Sequence, residues 1–111
     1  MHKASSLDTT DKQWRIRIGE VFDIEMARAC LRHCREGENR EGQPSRVVFD
    51  LTRTRIVHTA GLGVMHYIKG VFRVADGQAA IQFAHPDVGC ILRLARMDRA
   101  FQLQDQRSAN R

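Results

Sequence analysis

One short segment of the chain combines a hydroxyl, an imidazole and two glycines, and it is the segment best suited to chemistry. It reads His58-Thr59-Ala60-Gly61-Leu62-Gly63 and follows a short apolar step. Thr59 stands where a loop enters a predicted helix, so its hydroxyl is placed to cap free backbone N–H groups. A helix N-terminus also attracts phosphate, because its N–H groups and its dipole point at the ligand. The sequence therefore predicts a helix cap, a site for an anion, or both.

The two glycines of this hexapeptide need a physical reason. Gly61 and Gly63 fall in the first turns of the predicted helix, where each costs about 1 kcal/mol relative to alanine. One explanation is that a partner's backbone or an anion approaches the helix start closely. The other is tight packing of the helix against a sheet. The sequence leaves both explanations open.

Three neighbouring side chains have two possible roles each. Arg53 and Arg55 precede the hexapeptide and form either a basic rim that steadies a phosphate or an acidic partner, or two solvated positions. His58 could transfer a proton, but no Asp or Ser arrangement accompanies it. We therefore expect His58 to be an exposed loop residue.

Two other groups of residues resemble ligand sites but have the wrong spacing. Cys30 and Cys34 share a helix face, yet His33 lies beside Cys34 and no second ligand pair is evident, so we expect buried thiols. The glycine pair of the hexapeptide lacks the third glycine of a dinucleotide loop, because His66 occupies that position. We therefore expect no metal, no cofactor and no catalytic residue, and the chain is not predicted to be an enzyme.

Strands and helices must position the hexapeptide. Residues 14–18 alternate apolar and charged side chains, which predicts a half-buried strand. The continuous apolar run at 46–51 is typical of a strand buried on both faces in a sheet covered by helices. Residues 79–83 and 101–103 predict two more strands, and residues 1–13 a short first strand or arm.

Three predicted helices separate these strands. Asp23 is the expected N-cap of the first, the second begins at the hexapeptide, and His85-Pro86 opens the third with proline in its first turn. Their apolar stripes are Ile24, Ala27, Leu31 and Cys34 in the first helix, Leu62, Met65, Ile68 and Phe72 in the second, and Val88, Ile91, Leu92 and Ala95 in the third.

The order of elements is strand, strand, helix, strand, helix, strand, helix, strand. It predicts an α/β fold with a mixed, mostly parallel sheet of four to five strands and right-handed crossovers. The 111 residues are the size of one domain, 1–111, with a polar tail at 104–111.

Composition narrows the class of protein. The formal net charge is +5, but the cations are dispersed and only 6% of residues are aromatic, so we expect no nucleic-acid binding. No apolar run approaches the ~20 residues of a membrane span, so we expect no direct membrane insertion. No apolar stretch of signal-peptide length opens the chain, and the three cysteines are an odd number. We therefore predict a cytoplasmic protein with free thiols.

Several motifs resemble those of STAS domains (sulfate transporter and anti-sigma factor antagonist), in particular the small anti-sigma factor antagonists. The family's hallmark is an apolar strand ending in Asp-Leu, a polar bridge, and Asp-Ser-Ser-Gly-Leu-Gly or a variant with threonine. Here Asp50-Leu51 is followed by a bridge and the hexapeptide. Further stretches extend the resemblance over residues 14–103: Gly19-Glu20-Val21-Phe22-Asp23, Ala84-His85-Pro86-Asp87-Val88 and Arg96-Met97-Asp98-Arg99-Ala100-Phe101.

The resemblance implies a partner-switching protein, an anti-anti-sigma factor of signal transduction and transcription regulation. In that family an anti-sigma factor with serine/threonine kinase activity phosphorylates the first hydroxyl of the motif, which is Thr59 here. The unmodified domain binds the anti-sigma factor, and the phosphorylated domain releases it. A phosphatase is a further candidate partner. The implied partner-binding residues are Asp23, His58, Thr59, Ala60, Gly61, Leu62 and Gly63.

Two departures from the family pattern keep alternatives open. His58 replaces the usual acid, and Ala60 replaces the second hydroxyl, so only Thr59 can carry the modification in this motif. The Thr-Ala-Gly form also resembles the small STAS subunits of lipid-trafficking ABC transporters, which dock on an ATPase. The alternatives are therefore an ATPase-docking subunit and a scaffolding STAS module of a signalling assembly.

Overall fold

The computed structural model describes residues 5–8, 13–38 and 44–107; the rest of the predicted N-terminal arm, residues 39–43 and residues 108–111 of the tail lie outside this part. Two 3-10 turns, Asp76–Gln78 and Met97–Arg99, accompany the main elements. In chain order these are β1 (Ser5–Asp8), β2 (Gln13–Arg17), β3 (Val21–Phe22), α1 (Ile24–Glu38), β4 (Arg46–Leu51), β5 (Ile56–Val57), α2 (Thr59–Val71), β6 (Ala79–Phe83), α3 (Pro86–Leu94) and β7 (Gln102–Asp105).

The main sheet has five strands in the order β1-β2-β4-β6-β7. β1 pairs with β2 in the antiparallel direction, whereas the four strands from β2 to β7 are parallel. A second, two-stranded parallel sheet joins β3 to β5. The predicted α/β fold with a mostly parallel sheet is confirmed, and the small second sheet was not predicted.

The core lies between one face of the main sheet and the three helices. Trp14 on β2, Val47 on β4 and Ala79 on β6 are in register and point to this face, as do the residues two positions further along each strand. The apolar stripes of α1, α2 and α3 complete the same buried cluster. Burying these side chains removes apolar surface from water, which is the main force that holds the fold together.

The opposite face of the sheet differs from the prediction. β4 is buried on both faces, as expected, but a polar ladder rather than a helix runs along its second face in the described part of the chain. The Arg15 guanidinium on β2 donates to Oδ2 of Asp50 (3.2 Å) and, on β6, to Oε1 of Gln82 (2.9 Å). Gln82 then donates to Gln104 on β7 at 3.1 Å. Four strands are therefore linked by side chains as well as by backbone.

The helices begin where the sequence predicts, but the apolar stripes of α1 and α3 differ from the predicted ones. Asp23 caps α1, because its Oδ1 accepts from the Met26 N–H at 3.0 Å, and Pro86 is the first residue of α3. Ile24 was wrongly placed in the core stripe and is 52% exposed. At 100° per residue it lies about 90° from the centre of the stripe, which includes Cys30 instead. The stripes as observed are Ala27, Cys30 and Cys34 in α1 and Val88, Gly89 and Leu92 in α3, while Ile91 and Ala95 are exposed.

Two helices end with an arginine in a left-handed conformation. Arg73 follows α2 with φ 53°, and Arg96 follows α3 with φ 59°. Glycine is the residue that normally occupies this position, because it has no Cβ to clash. The Val74 N–H bonds back to the Lys69 carbonyl at 3.1 Å, which satisfies one of the last carbonyls of α2.

Among the described residues, no helix is long and apolar enough to cross a membrane.

The three cysteines differ in exposure to solvent. Cys30 and Cys34 are buried on α1, whereas Cys90 is exposed on α3. Burial, with a smaller contribution from Cys34, raises the pKa of the Cys30 thiol to about 12. Since the thiolate is the reactive form, we expect Cys30 to react slowly at neutral pH.

We therefore expect a disulfide reagent at pH 8 to modify one thiol of the native protein rapidly, at Cys90, and the other two only after unfolding. Titration of released thiolate measures this directly. Cys90→Ser should abolish the rapid phase. Rapid modification of all three thiols would show that α1 does not bury its cysteines as described.

Candidate functional site

The start of α2 is held to the segment that precedes α1. Val21 pairs with Ile56 and Phe22 with Val57 in the small parallel sheet. The ladder continues in the backbone, because the His58 N–H donates to the Phe22 carbonyl at 2.9 Å. The residues that follow β3 and β5 are therefore brought to the same end of the molecule.

The ring of Phe22 explains one of the two glycines. Phe22 is fully buried, and a Cβ on Gly61 would lie 2.7 Å from its Cγ and 2.9 Å from both Cδ atoms. The ring is enclosed by the core, so it cannot move aside as a surface side chain would. Gly61 is therefore explained by tight packing, one of the two possibilities that the sequence left open.

Gly63 has no such explanation. A Cβ built on Gly63 would have no atom within 4 Å, and the residue is exposed. It lies on what we call the outer face of α2, which is formed by the exposed residues of that helix. One ring contact reaches this face in the described part of the chain, between His66 and Phe101, whose ring centroids lie 5.3 Å apart. The outer face of α2 consists of Thr59, Gly63, His66, Tyr67 and Gly70.

Thr59 is exposed and is not a helix cap. It is the first helical residue, and the N-cap position belongs to His58, whose side chain makes no capping hydrogen bond. The predicted capping role is therefore wrong, because the helix begins one residue earlier than a Thr59 cap would require. The Thr59 hydroxyl has no hydrogen-bond partner in the described part of the chain, and the expected exposure of His58 is confirmed.

The backbone donors beside this hydroxyl are also available. The N–H groups of Gly61 and Leu62 both bond to the His58 carbonyl. The N–H groups of Thr59 and Ala60 come earlier in the helix and have no partner among the described residues, as is usual in a first turn. No acidic residue lies in the first turn of α2. An anion at Thr59 would therefore meet free donors and the positive end of the helix dipole.

Three of the remaining predicted site residues are partly buried and contribute to the fold. Asp23 is half-buried and is engaged as the cap of α1. Ala60 and Leu62 are partly buried and pack against the core. Of the seven predicted partner-binding residues, only His58, Thr59 and Gly63 are exposed.

Two hydroxyl groups that the sequence analysis did not single out shape the bridge between β4 and β5. Thr54 is fully buried, and its Oγ1 donates to the Gly19 carbonyl at 2.8 Å. Asp50 accepts from both the N–H and the hydroxyl of Thr52, at 3.0 and 2.6 Å. A short polar bridge after a strand is typical of a turn held by side-chain hydrogen bonds, as Asp50 and Thr52 form here. The contact between Thr54 and the loop after β2 could not be predicted from the sequence, because it joins residues that are distant in the chain.

An open cavity of about 480 Å³ adjoins the small sheet. Arg55 borders it and is exposed, as Arg53 is. Ile56 is 52% exposed here and stands beside the half-exposed Val21. The cavity beside the segment that leads to Thr59 is therefore lined by apolar side chains and by groups of both charges, since Glu20 and Asp87 face it together with Arg55. The residues that line the cavity are Glu20, Val21, Arg55, Ile56, His85 and Asp87.

Comparison with known proteins adds no family to this description. No model of a protein family matches the chain, and no curated protein matches it. Within residues 5–8, 13–38 and 44–107, no group of three or more His, Cys, Asp or Glu residues is arranged to hold a metal ion.

The contrast between the two glycines yields a matched pair of variants. Gly61→Ala should lower the free energy of unfolding by about 1–2 kcal/mol, because the overpacking of a buried ring outweighs the gain in helix propensity. Gly63→Ala should raise it by up to about 1 kcal/mol, because that Cβ meets no atom. Urea denaturation followed by circular dichroism measures both. Equal effects of the two substitutions would contradict the described packing.

Proposed function

We propose that the chain is a STAS-type partner-switching protein, an anti-sigma factor antagonist whose binding is turned off by phosphorylation of Thr59. The proposal rests on the exposure and the free hydrogen-bonding capacity of the Thr59 hydroxyl. Thr59 is exposed, its side chain has no hydrogen-bond partner in the described part of the chain, and it opens a helix of 13 residues. These properties suit a residue that a kinase must reach and whose modification must leave the fold intact.

The first step of the switch is tolerance of the phosphate by its own domain. A phosphothreonine carries about −1.5 to −2 charges at neutral pH. At position 59 it would face the free N–H groups of the first turn and no carboxylate within that turn. The helix dipole favours negative charge at this end. Phosphorylation should therefore leave α2 folded.

The second step is loss of the partner. The outer face of α2 bears no Asp, Glu, Lys or Arg, and Tyr67 on it is 54% exposed. The two open glycines at 63 and 70 allow a partner's backbone to come close. A phosphate at one end of such an interface would be desolvated or placed beside like charge, and either effect is unfavourable.

Three exposed apolar residues lie in β3, at the first residue of α1 and in β5, the segments that precede the start of α2. Val21, Ile24 and Ile56 are exposed on or beside the small sheet that leads to Thr59. Exposed apolar side chains that surround a functional group are typical of protein interaction sites. The proposed anti-sigma factor would cover them together with His58 and Thr59.

A second candidate function is docking on the ATPase of an ABC transporter. It is favoured by the absence of an acidic residue before Thr59, where His58 stands, since a kinase that reads an acid would find none. This candidate uses the same outer face of α2 but requires no modification. It predicts an interaction that does not depend on kinase activity.

The decisive experiment compares charge variants of Thr59. Mass spectrometry of the protein from its own cells should detect phospho-Thr59. Thr59→Ala should bind the anti-sigma factor kinase as the natural protein does, whereas Thr59→Asp and Thr59→Glu should bind at least about tenfold more weakly, because like charge in an interface is costly. Isothermal titration calorimetry measures the affinities.

A matched control distinguishes the effect of a charge at position 59 from the effect of a change in the net charge of the protein. Gln78→Glu adds the same charge at an exposed position in the 3-10 turn that precedes β6, and it should bind normally. Unchanged unfolding curves for all variants exclude loss of structure. Equal binding by the alanine, aspartate and glutamate variants would refute the switch, and co-purification with an ATPase under those conditions would favour the second candidate.

A further inference from the structure

A separate cluster of cations lies at the end of the sheet opposite to Thr59. Parallel strands β4, β6 and β7 begin at this end, which we call the amino edge, and α2 and α3 return to it before β6 and β7 begin. Arg73 follows α2, and Arg96 and Arg99 lie between α3 and β7. The 3-10 turns before β6 and β7 both contact β7, so these connections are neighbours. Three exposed arginines therefore share one edge.

The conformation of two of these arginines is unusual. Arg73 and Arg96 have positive φ angles of 53° and 59°, a region that favours glycine. Glycine would relieve the backbone at both helix ends, so arginine carries a local conformational cost at these two positions.

The contribution of these guanidinium groups to the fold is confined to the weak, solvent-screened attraction between a cation and the negative end of a helix dipole. The guanidinium groups of Arg73, Arg96 and Arg99 form no ion pair or hydrogen bond with the described part of the chain. Of the acids near them, Asp76 is held by Lys69 at 2.7 Å, and Asp98 is exposed between two of the arginines. The amino edge therefore presents more positive charge than its own carboxylates neutralise.

An exposed leucine accompanies these arginines. Leu94 is the last residue of α3, two residues before Arg96, and it is 74% exposed, more than any other large apolar side chain in the described part. Arg93 is directed elsewhere, since its guanidinium lies 5.6 Å from the centre of the Phe83 ring. The amino edge thus combines one protruding apolar side chain with three unpaired cations.

We propose that the amino edge, formed by Arg73, Leu94, Arg96 and Arg99, adsorbs to membranes that contain anionic phospholipids. Arginines near such a surface are attracted to its negative potential, and a protruding leucine can enter the boundary between headgroups and acyl chains. A nucleic acid would use the arginines but not the leucine, and the amino edge has no exposed aromatic side chain in the described part for base stacking.

This mode of adsorption leaves the Thr59 site accessible. α2 has 13 residues and is therefore about 20 Å long, with Thr59 at one end and Arg73 just beyond the other. A domain held by its amino edge would direct Thr59 away from the lipid. The inference is independent of the proposed phosphoswitch, because it uses none of the same residues.

The test uses sedimentation with lipid vesicles. Vesicles of phosphatidylcholine with about 30 mol% phosphatidylglycerol should bind the protein, and vesicles of phosphatidylcholine alone should not. Binding should weaken as salt is raised from about 0.1 M to 1 M, because screening shortens the electrostatic range. Leu94→Ser should weaken binding to the anionic vesicles.

The key variant is Arg73→Gly combined with Arg96→Gly. Each arginine near an anionic surface contributes roughly five-fold to the partition coefficient, so the double variant should bind about 25-fold more weakly. Its resistance to urea should be equal or higher, because glycine suits both backbone positions. Loss of binding therefore cannot be ascribed to unfolding.

The matched control is Arg53→Gln with Arg55→Gln, which removes two charges from exposed positions beside the small sheet. It should retain most vesicle binding. Equal losses in both double variants, or no binding of the natural protein to anionic vesicles, would overturn the proposal. So would a loss of duplex DNA binding in the glycine variant with vesicle binding unchanged, since that result would assign the edge to nucleic acid.

Discussion

The contact between the Phe22 ring and Gly61 fixes the geometry of the candidate site. The ring is fully buried and leaves no room for a Cβ at position 61. It thereby sets how closely the first turn of α2 approaches the segment before α1, and the hydrogen bond from His58 to the Phe22 carbonyl sets the level at which the helix begins. With the inner side of the turn fixed in this way, Thr59 faces outward. Its exposure is a consequence of packing beneath it.

Parallel topology gives the two ends of the molecule different chemistry. Helices α2 and α3 begin at the end of the sheet where the parallel strands finish. The start of α3 is capped by the His85 side chain, which accepts from the Asp87 N–H at 3.2 Å, whereas the start of α2 has no side-chain cap. The same helices end at the amino edge, where the arginines that follow them complement the negative ends of the dipoles. A site for an added anion and a surface for an existing anionic partner can therefore coexist about one helix length apart.

Sequence periodicity was sufficient to predict the strands of the main sheet and the three helices, because alternation and helical spacing depend only on local residues. β4 at Arg46–Leu51 and β6 at Ala79–Phe83 have the predicted bounds. The details of the site required tertiary information. Whether Gly61 or Gly63 is constrained depends on Phe22, which is about forty residues away, and the capping role of Thr59 failed because a shift of one residue moves the cap to His58. The polar second face of the sheet depends equally on contacts between distant strands.

A double-mutant cycle between Phe22 and Gly61 tests the central contact most directly. Phe22→Ala, Gly61→Ala and the double variant are compared with the natural protein by urea denaturation, with a stabilising osmolyte if Phe22→Ala is too unstable, since that substitution costs about 3–5 kcal/mol. If the ring is what excludes a side chain at position 61, Gly61→Ala should be neutral or stabilising in the Phe22→Ala background, with a coupling energy above about 1 kcal/mol. Additive losses, with Gly61→Ala equally harmful in both backgrounds, would contradict the account.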